Sequence, residues 1–85
     1  MEVRKPTKEE KEEALTWPIW EKEETEFPYH FHEKETCLIL AGHAQVKSES
    51  GDTDKFKAGD LVVFPKGLKC TWKILKPIRK YYKFG

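Results

Sequence analysis

The chain has 85 residues, and its 16 basic and 15 acidic side chains leave a formal net charge of +1. This near-balance argues against a dedicated nucleic-acid-binding protein, which usually carries a strong basic excess. The length allows one domain, and no apolar run approaches the roughly 18 residues that cross a bilayer. Because the charged N-terminus lacks a signal-peptide pattern, we expect a cytoplasmic protein without a membrane partner.

The N-terminal residues 1–16 predict an arm that carries a short helix. Thr7 followed by Glu10 fits a capping box, in which each side chain satisfies an exposed backbone amide of the other residue. A helix over about residues 7–14 follows, and Pro18 must lie beyond its end. We therefore predict this arm and one β domain over residues 17–85.

From Trp17 onward, short apolar runs alternate with turn residues and no helical period is visible. The separators are Gly42, Ser50-Gly51-Asp52, Ala58-Gly59-Asp60, Pro65-Lys66-Gly67 and Lys76-Pro77. The predicted strands are 17–22, 27–32, 36–41, 43–48, 53–57, 61–64, 69–75 and 79–84. So many short strands in a small chain indicate an all-β sandwich or barrel.

His30 and His32 are the densest concentration of chemistry in the sequence. Alternate side chains of a strand share a face, so both imidazoles could point at one spot, with Tyr29 and Phe31 on the opposite face. Imidazole is the commonest protein ligand for transition metals, and the pair could therefore begin a metal site. Without further ligands such a pair is surface or core filling, and both interpretations stay open at this point.

Strand parity also groups residues of two other strands. The sets that share a face are Glu35, Cys37 and Ile39 in one strand and Cys70, Trp72 and Ile74 in the other. Two cysteines do not make a disulfide framework of the secreted type, so we expect reduced thiols. A reversible Cys37–Cys70 disulfide is the less favoured alternative.

The end of the chain is basic and aromatic, with no acidic residue over 76–83. Such a tail could contact RNA or an acidic partner. A final strand with one buried aromatic face is the simpler interpretation, so we expect no nucleic-acid partner.

The ordered motifs resemble those of the cupin superfamily. His30, His32, Glu35 and Gly42 follow the His-x-His, Glu, Gly order of the first cupin motif, and the run from Gly59 through Pro65 to Gly67 follows the second. The nearest likeness is to the ureidoglycine aminohydrolase-like cupin domains (DUF861). Their pattern is readable here over Trp17 to Glu21, Glu35 to Gly42 and Gly59 to Trp72.

The resemblance implies a small jelly-roll barrel, also called a double-stranded β-helix, with a short N-terminal helix. It also implies a metal site of His30, His32 and Cys70, which stands where cupins carry a third histidine, with Glu35 as an optional fourth ligand. Imidazole and thiolate ligands suit a divalent transition metal (zinc, iron, copper, nickel or manganese). Glu24 replaces the glycine that opens the first motif, and Glu35 lies closer to His32 than in the usual pattern.

Three functions follow for a single-domain cupin of this kind. The first is a metal-dependent enzyme, the second a metal-free module that holds a small molecule in the barrel, and the third a structural or interaction domain. A small-molecule ligand would be lined by Trp20, Tyr29, Cys37 and Trp72. The small barrel would also gain from pairing its edge strands, so we expect a homodimer.

Overall fold

The computed structural model describes all 85 residues as one antiparallel sheet of seven strands with one short helix. In chain order the elements are β1 (Glu2–Arg4), α1 (Lys8–Ala14), β2 (Ile19–Lys22), β3 (Thr25–His30), β4 (Glu35–Ser48), β5 (Thr53–Lys57), β6 (Leu61–Phe64) and β7 (Lys69–Phe84). The predicted all-β class with an N-terminal helix is confirmed. The helix has seven residues, and no helix is long and apolar enough to span a membrane.

Two long strands, β4 and β7, form the centre of the sheet and pair with each other from Glu35 opposite Phe84 to Ser48 opposite Cys70. The sequence predicted each of them as two strands, because Gly42 and Lys76-Pro77 are typical turn residues. In the structure these residues instead mark irregularities in the β4–β7 register. Gly42 has a φ of +83°, and its hydrogen lies against the backbone of Pro77 and Lys76. The turn residues therefore bend both strands without ending them.

The N-terminal arm contributes a strand that the sequence did not reveal. In β1, Glu2 pairs with Val63 and Arg4 with Leu61 of β6. The pairing is made by backbone hydrogen bonds, and a strand of three residues is too short to show a side-chain alternation in the sequence. Helix α1 begins as predicted, since the Glu10 amide donates to Thr7 Oγ1 at 3.1 Å and the Thr7 amide donates to Glu10 Oε1 at 2.8 Å.

The core lies on one face of the two long strands and is rich in aromatic rings. Both sets of residues that were predicted to share a face are buried: Glu35, Cys37 and Ile39 in β4, and Cys70, Trp72 and Ile74 in β7. Phe31, which follows β3, stacks on Phe64 with ring centroids 4.4 Å apart. This face of the sheet, where β2 and β3 flank β7, contains the candidate site.

Candidate functional site

A cavity of about 160 Å³ opens between β2, β3, β4 and β7. Seven of the nine residues that line it are aromatic, and the other two carry opposite charges. This aromatic cavity is lined by Trp20, Phe27, Tyr29, Phe31, Glu35, Trp72, Lys80, Tyr82 and Phe84. Aromatic side chains offer large contact areas with few rotatable bonds, so the walls are suited to hold a small apolar body.

The two charged residues form a buried ion pair. Lys80 Nζ lies 2.6 Å from Glu35 Oε2, and the residues are only 5% and 4% exposed. They come from the neighbouring strands β7 and β4, where strand alternation turns both side chains to the core face. Removing two charges from water is costly, so each charge here depends on the other for compensation.

Cys37 completes a hydrogen-bonded cluster with this pair. Its Sγ donates to Glu35 Oε2 at 2.8 Å and accepts from Lys80 Nζ at 3.3 Å. Burial raises the pKa of the Cys37 thiol, so at neutral pH it remains protonated and acts as a donor. The thiol therefore fixes the carboxylate orientation and does not add a third charge.

The second oxygen of Glu35 is free to receive a ligand. Both side-chain hydrogen bonds to Glu35 reach Oε2, and none reaches Oε1. Every side-chain oxygen that is fully buried in this chain has a hydrogen-bond partner. Since Oε1 has none, we infer that it is in contact with solvent through the cavity that Glu35 lines. The cavity therefore presents an unused carboxylate acceptor.

The Lys80 ammonium is surrounded by aromatic rings as well as by its anionic partner. Its Nζ lies 4.7 Å from the ring centroid of Trp20 and 5.1 Å from that of Trp72, with Phe64 and Tyr82 each at 5.9 Å. Burial by itself would lower the pKa of Lys80, but the adjacent Cys37 and Glu35 outweigh it and raise the pKa above its ordinary value. Cation–π attraction also favours the charged form, so Lys80 is an ammonium at neutral pH.

The predicted histidine pair is present but faces away from the cavity. The rings of His30 and His32 lie with centroids 4.2 Å apart, and both residues are exposed. Phe31, between them, is 2% exposed and points into the core. Stacking one phenyl ring against Phe64 buries more apolar surface than two imidazoles would, and the imidazoles keep their contact with water. The two imidazoles therefore share one face of the strand, as strand alternation predicted, and that face is the exposed one.

The other two predicted metal ligands are engaged elsewhere. Glu35 is paired with Lys80, and the Cys70 thiol lies 3.6 Å from the Tyr29 carbonyl oxygen. Desolvation raises the pKa of Cys70 to about 11, so with no metal bound this thiol is protonated at neutral pH. No group of three or more His, Cys, Asp or Glu side chains in the chain is placed to hold a metal ion. The donor set as arranged does not fit a metal centre.

Three of the four predicted pocket residues, Trp20, Tyr29 and Trp72, line the aromatic cavity. Cys37 lies behind the wall, in contact with the Glu35–Lys80 pair, and both cysteines are free thiols. Sequence reasoning missed Lys80. Its signal was parity, because Lys80 shares a strand face with Ile78 and Tyr82, and a lysine on an otherwise apolar face needs an anionic partner.

The chain is similar to several proteins of known fold. Residues 9–82 match the sequence profile of the EutQ-like cupin domain. A DUF861 family protein from Thermotoga maritima is 46% identical, with a TM-score of 0.95 over 99% of this chain and 98% of that protein. No curated protein has a significantly similar sequence.

Two more distant structures share the fold alone. The EutQ protein of Clostridium difficile is 23% identical with a TM-score of 0.71, and the alignment covers 78% of this chain and 52% of that one. A DUF1255 protein of unknown function from Acidithiobacillus ferrooxidans is 20% identical with a TM-score of 0.70, over 74% of this chain and 60% of that one.

Proposed function

Since the chain belongs to the EutQ-like cupin domain family, we propose that it binds a small organic molecule in the aromatic cavity through the Glu35–Lys80 pair, without a metal ion at that point. The observation that carries this proposal is that the buried Glu35–Lys80 ion pair lines a cavity whose other lining residues are all aromatic. Ligand sites typically combine apolar walls with a few convergent polar groups.

The aromatic walls select the body of the ligand. A volume of about 160 Å³ accommodates one small ring with a short substituent. Tyr29 and Phe84 are 42% and 49% exposed, so these two rings form the open side of the cavity, while Trp72 is 2% exposed and closes its base. A flat apolar ring can therefore enter past the first two side chains and stack within the cavity.

The ion pair selects the polar end of the ligand. Glu35 Oε1 can accept a hydrogen bond from a ligand. The Lys80 ammonium has three N–H groups, of which two bind Glu35 and Cys37, so the third can donate a hydrogen bond to a ligand. Because the pair has no net charge, it matches a neutral group that carries a donor beside an acceptor. A carboxamide has this arrangement, and benzamide is a suitable probe.

We further propose that the sheet closes as a jelly-roll barrel of the cupin type, with the aromatic cavity at its mouth. The similarity to cupin structures supports this closure. In such a barrel the cavity would open at one end, beside Tyr29 and Phe84.

Metal binding by His30, His32, Glu35 and Cys70 stays a prediction of the family resemblance. It requires the two outward imidazoles to join a carboxylate that Lys80 already neutralises. Metal content after supplementation with zinc, iron, copper, nickel or manganese, compared with that of the H30A and H32A variants, tests it directly.

A homodimer is also proposed, because β2 and β3 pair with β7 on one side only. Ile19 and Tyr29, on these edge strands, are 43% and 42% exposed. Light scattering at micromolar concentration that reports a monomer would overturn this proposal.

The function is tested by titrating the full chain with benzamide and with toluene, which has the ring without the amide. We expect benzamide to bind more tightly than toluene, and F84A to weaken benzamide binding by about tenfold. The matched control is L75A, on the same strand but outside the cavity, which should leave the affinity unchanged. Equal effects of the two substitutions, or no benzamide binding, would contradict the proposal.

A further inference from the structure

We propose that the Glu35–Lys80 pair catalyses proton transfer at the carbon next to a carbonyl group of a small aromatic ketone or aldehyde. This inference rests on the proposed ligand binding and names the substrate class. Three features of the aromatic cavity support it: a fixed cation, an unused carboxylate oxygen and largely apolar walls.

Lys80 supplies the group that polarises the carbonyl. Its ammonium is held 2.6 Å from Glu35 and within 4.7–5.9 Å of the centroids of four aromatic rings. A donor fixed before the substrate arrives does not have to reorganise when negative charge develops on the carbonyl oxygen. In many enzymes a metal ion performs this polarisation, whereas here the chain provides its own cation.

Glu35 supplies the base. Its Oε2 is occupied by Lys80 and Cys37, whereas its Oε1 accepts no side-chain hydrogen bond, and Glu35 lines the cavity. The two oxygens of a carboxylate are only about 2 Å apart, so Oε1 lies beside the ammonium that would hold the carbonyl oxygen. A carbonyl oxygen and its α-carbon are separated by a similar distance, so one substrate can meet both groups.

The step is balanced without any co-reactant. Glu35 Oε1 takes the α-proton, the C–H electron pair becomes the carbon–carbon double bond, and the carbonyl π pair moves to oxygen. The resulting enolate oxygen is stabilised by an N–H group of Lys80. The Glu35 carboxyl then exchanges its proton with solvent, and return of a solvent-derived proton from Glu35 to carbon regenerates the ketone and the ionised pair.

Cys37 is a positioning residue in this scheme. Its thiol donates to Glu35 Oε2 at 2.8 Å, on the oxygen that does not face the substrate. This bond and the Lys80 bond hold the carboxylate plane with Oε1 directed into the cavity. A merely structural role would not change the proton-transfer rate once the ligand is bound.

The test follows exchange of the benzylic protons of phenylacetone in D₂O by proton NMR with the full chain. We expect a rate roughly a hundredfold above buffer, which lies within the usual range for general acid–base catalysis. E35Q keeps the shape and a hydrogen bond to Lys80 but lacks the base, and it should return exchange to the buffer rate. C37A should lower the exchange rate at saturating phenylacetone while changing its affinity less than twofold.

Inhibition of the wild-type chain by benzamide tests the inference without relying on variants that could fail to fold. Benzamide should inhibit the exchange with an inhibition constant equal to its dissociation constant, and absence of inhibition would overturn the inference. If phenylacetone binds but its protons exchange at the buffer rate, catalysis is excluded and the ligand-binding function stands. If neither benzamide nor phenylacetone binds, both proposals fall.

Discussion

Lys80 Nζ and Glu35 Oε2 lie 2.6 Å apart in a position where each residue is at most 5% exposed. The two residues are 45 positions apart in sequence and meet because β4 and β7 are adjacent strands. This is the only fully buried ion pair of the chain, and it lies in the wall of the aromatic cavity. Stability and ligand binding therefore depend on the same two side chains.

Replacing Lys80 alone should be strongly destabilising. K80M leaves the Glu35 carboxylate buried without a counter-charge, and we expect a loss of about 3–5 kcal/mol in the free energy of unfolding. The double variant E35Q/K80M removes both charges and should recover most of that loss. Urea unfolding of the single and double variants measures the difference, and equal losses in both would contradict the dependence of each charge on the other.

Alkaline pH should destabilise the fold in two stages. Burial raises the pKa of the Cys37 thiol above its unfolded value of 9.0, so the folded state holds a proton that the unfolded chain releases. The pKa of Lys80 is also raised above 10.5. Stability is therefore fully present below pH 9 and falls as pH rises, first through the thiol and then through the ammonium.

The thiol contribution can be separated by substitution. C37A should flatten the decline in unfolding free energy between about pH 9 and pH 10.5, because this thiol no longer titrates. C70A serves as the comparison: the Cys70 pKa is raised only to about 11, so C70A should flatten the decline only up to about pH 11, whereas C37A should flatten it beyond that pH as well. Urea unfolding at a series of pH values provides the curves, and identical slopes for C37A and the wild type would contradict the account.

The bend of β4 should depend on one glycine. In G42A the new Cβ would meet the backbone of Pro77, and it would lie 2.6 Å from the Lys76 oxygen at a φ of +83°. Gly51 also has a positive φ, of +97°, but nothing lies within 4 Å of a Cβ there. We expect G51A to cost about 1 kcal/mol and G42A clearly more. Thermal unfolding compares the two, and equal costs would show that the close approach at Gly42 does not matter.

The orientation of the histidine segment predicts contrasting effects of neighbouring substitutions. F31A should cost about 3–5 kcal/mol, since it removes a buried ring stacked on Phe64. H30A and H32A should each change the unfolding free energy by less than about 0.5 kcal/mol, because both side chains are exposed. A large cost for either histidine variant, measured by urea unfolding, would indicate that the imidazoles are engaged.

The sequence predicted the elements of the fold well where local patterns determine them. The capping box at Thr7 and the inward faces of β4 and β7 follow from local hydrogen bonding and strand parity. Gly42 and Pro77 misled the strand assignment because each is a turn signal by itself. In the structure Gly42 lies against Lys76 and Pro77 on the adjacent strand, and both strands bend there without ending. This contact joins residues far apart in sequence, so no local pattern reveals it.

The candidate site was only partly accessible from sequence. Trp20, Tyr29 and Trp72 were recognisable as pocket aromatics, but the orientation of His30 and His32 depended on whether Phe31 or the imidazoles would be buried. That choice is decided by Phe64, which lies on a different strand. The partnership of Lys80 with Glu35 likewise requires the β4–β7 register, which strand parity does not provide.

The most direct test of ligand binding is an isotope-filtered NOE experiment on benzamide with the labelled full chain. We expect contacts from the benzamide ring to the indole protons of Trp20 and Trp72, together with contacts from its amide protons to the Lys80 side chain. Contacts confined to residues outside the aromatic cavity, or binding that persists unchanged in E35Q/K80M, would contradict the claim that this ion pair and its aromatic walls form the binding site.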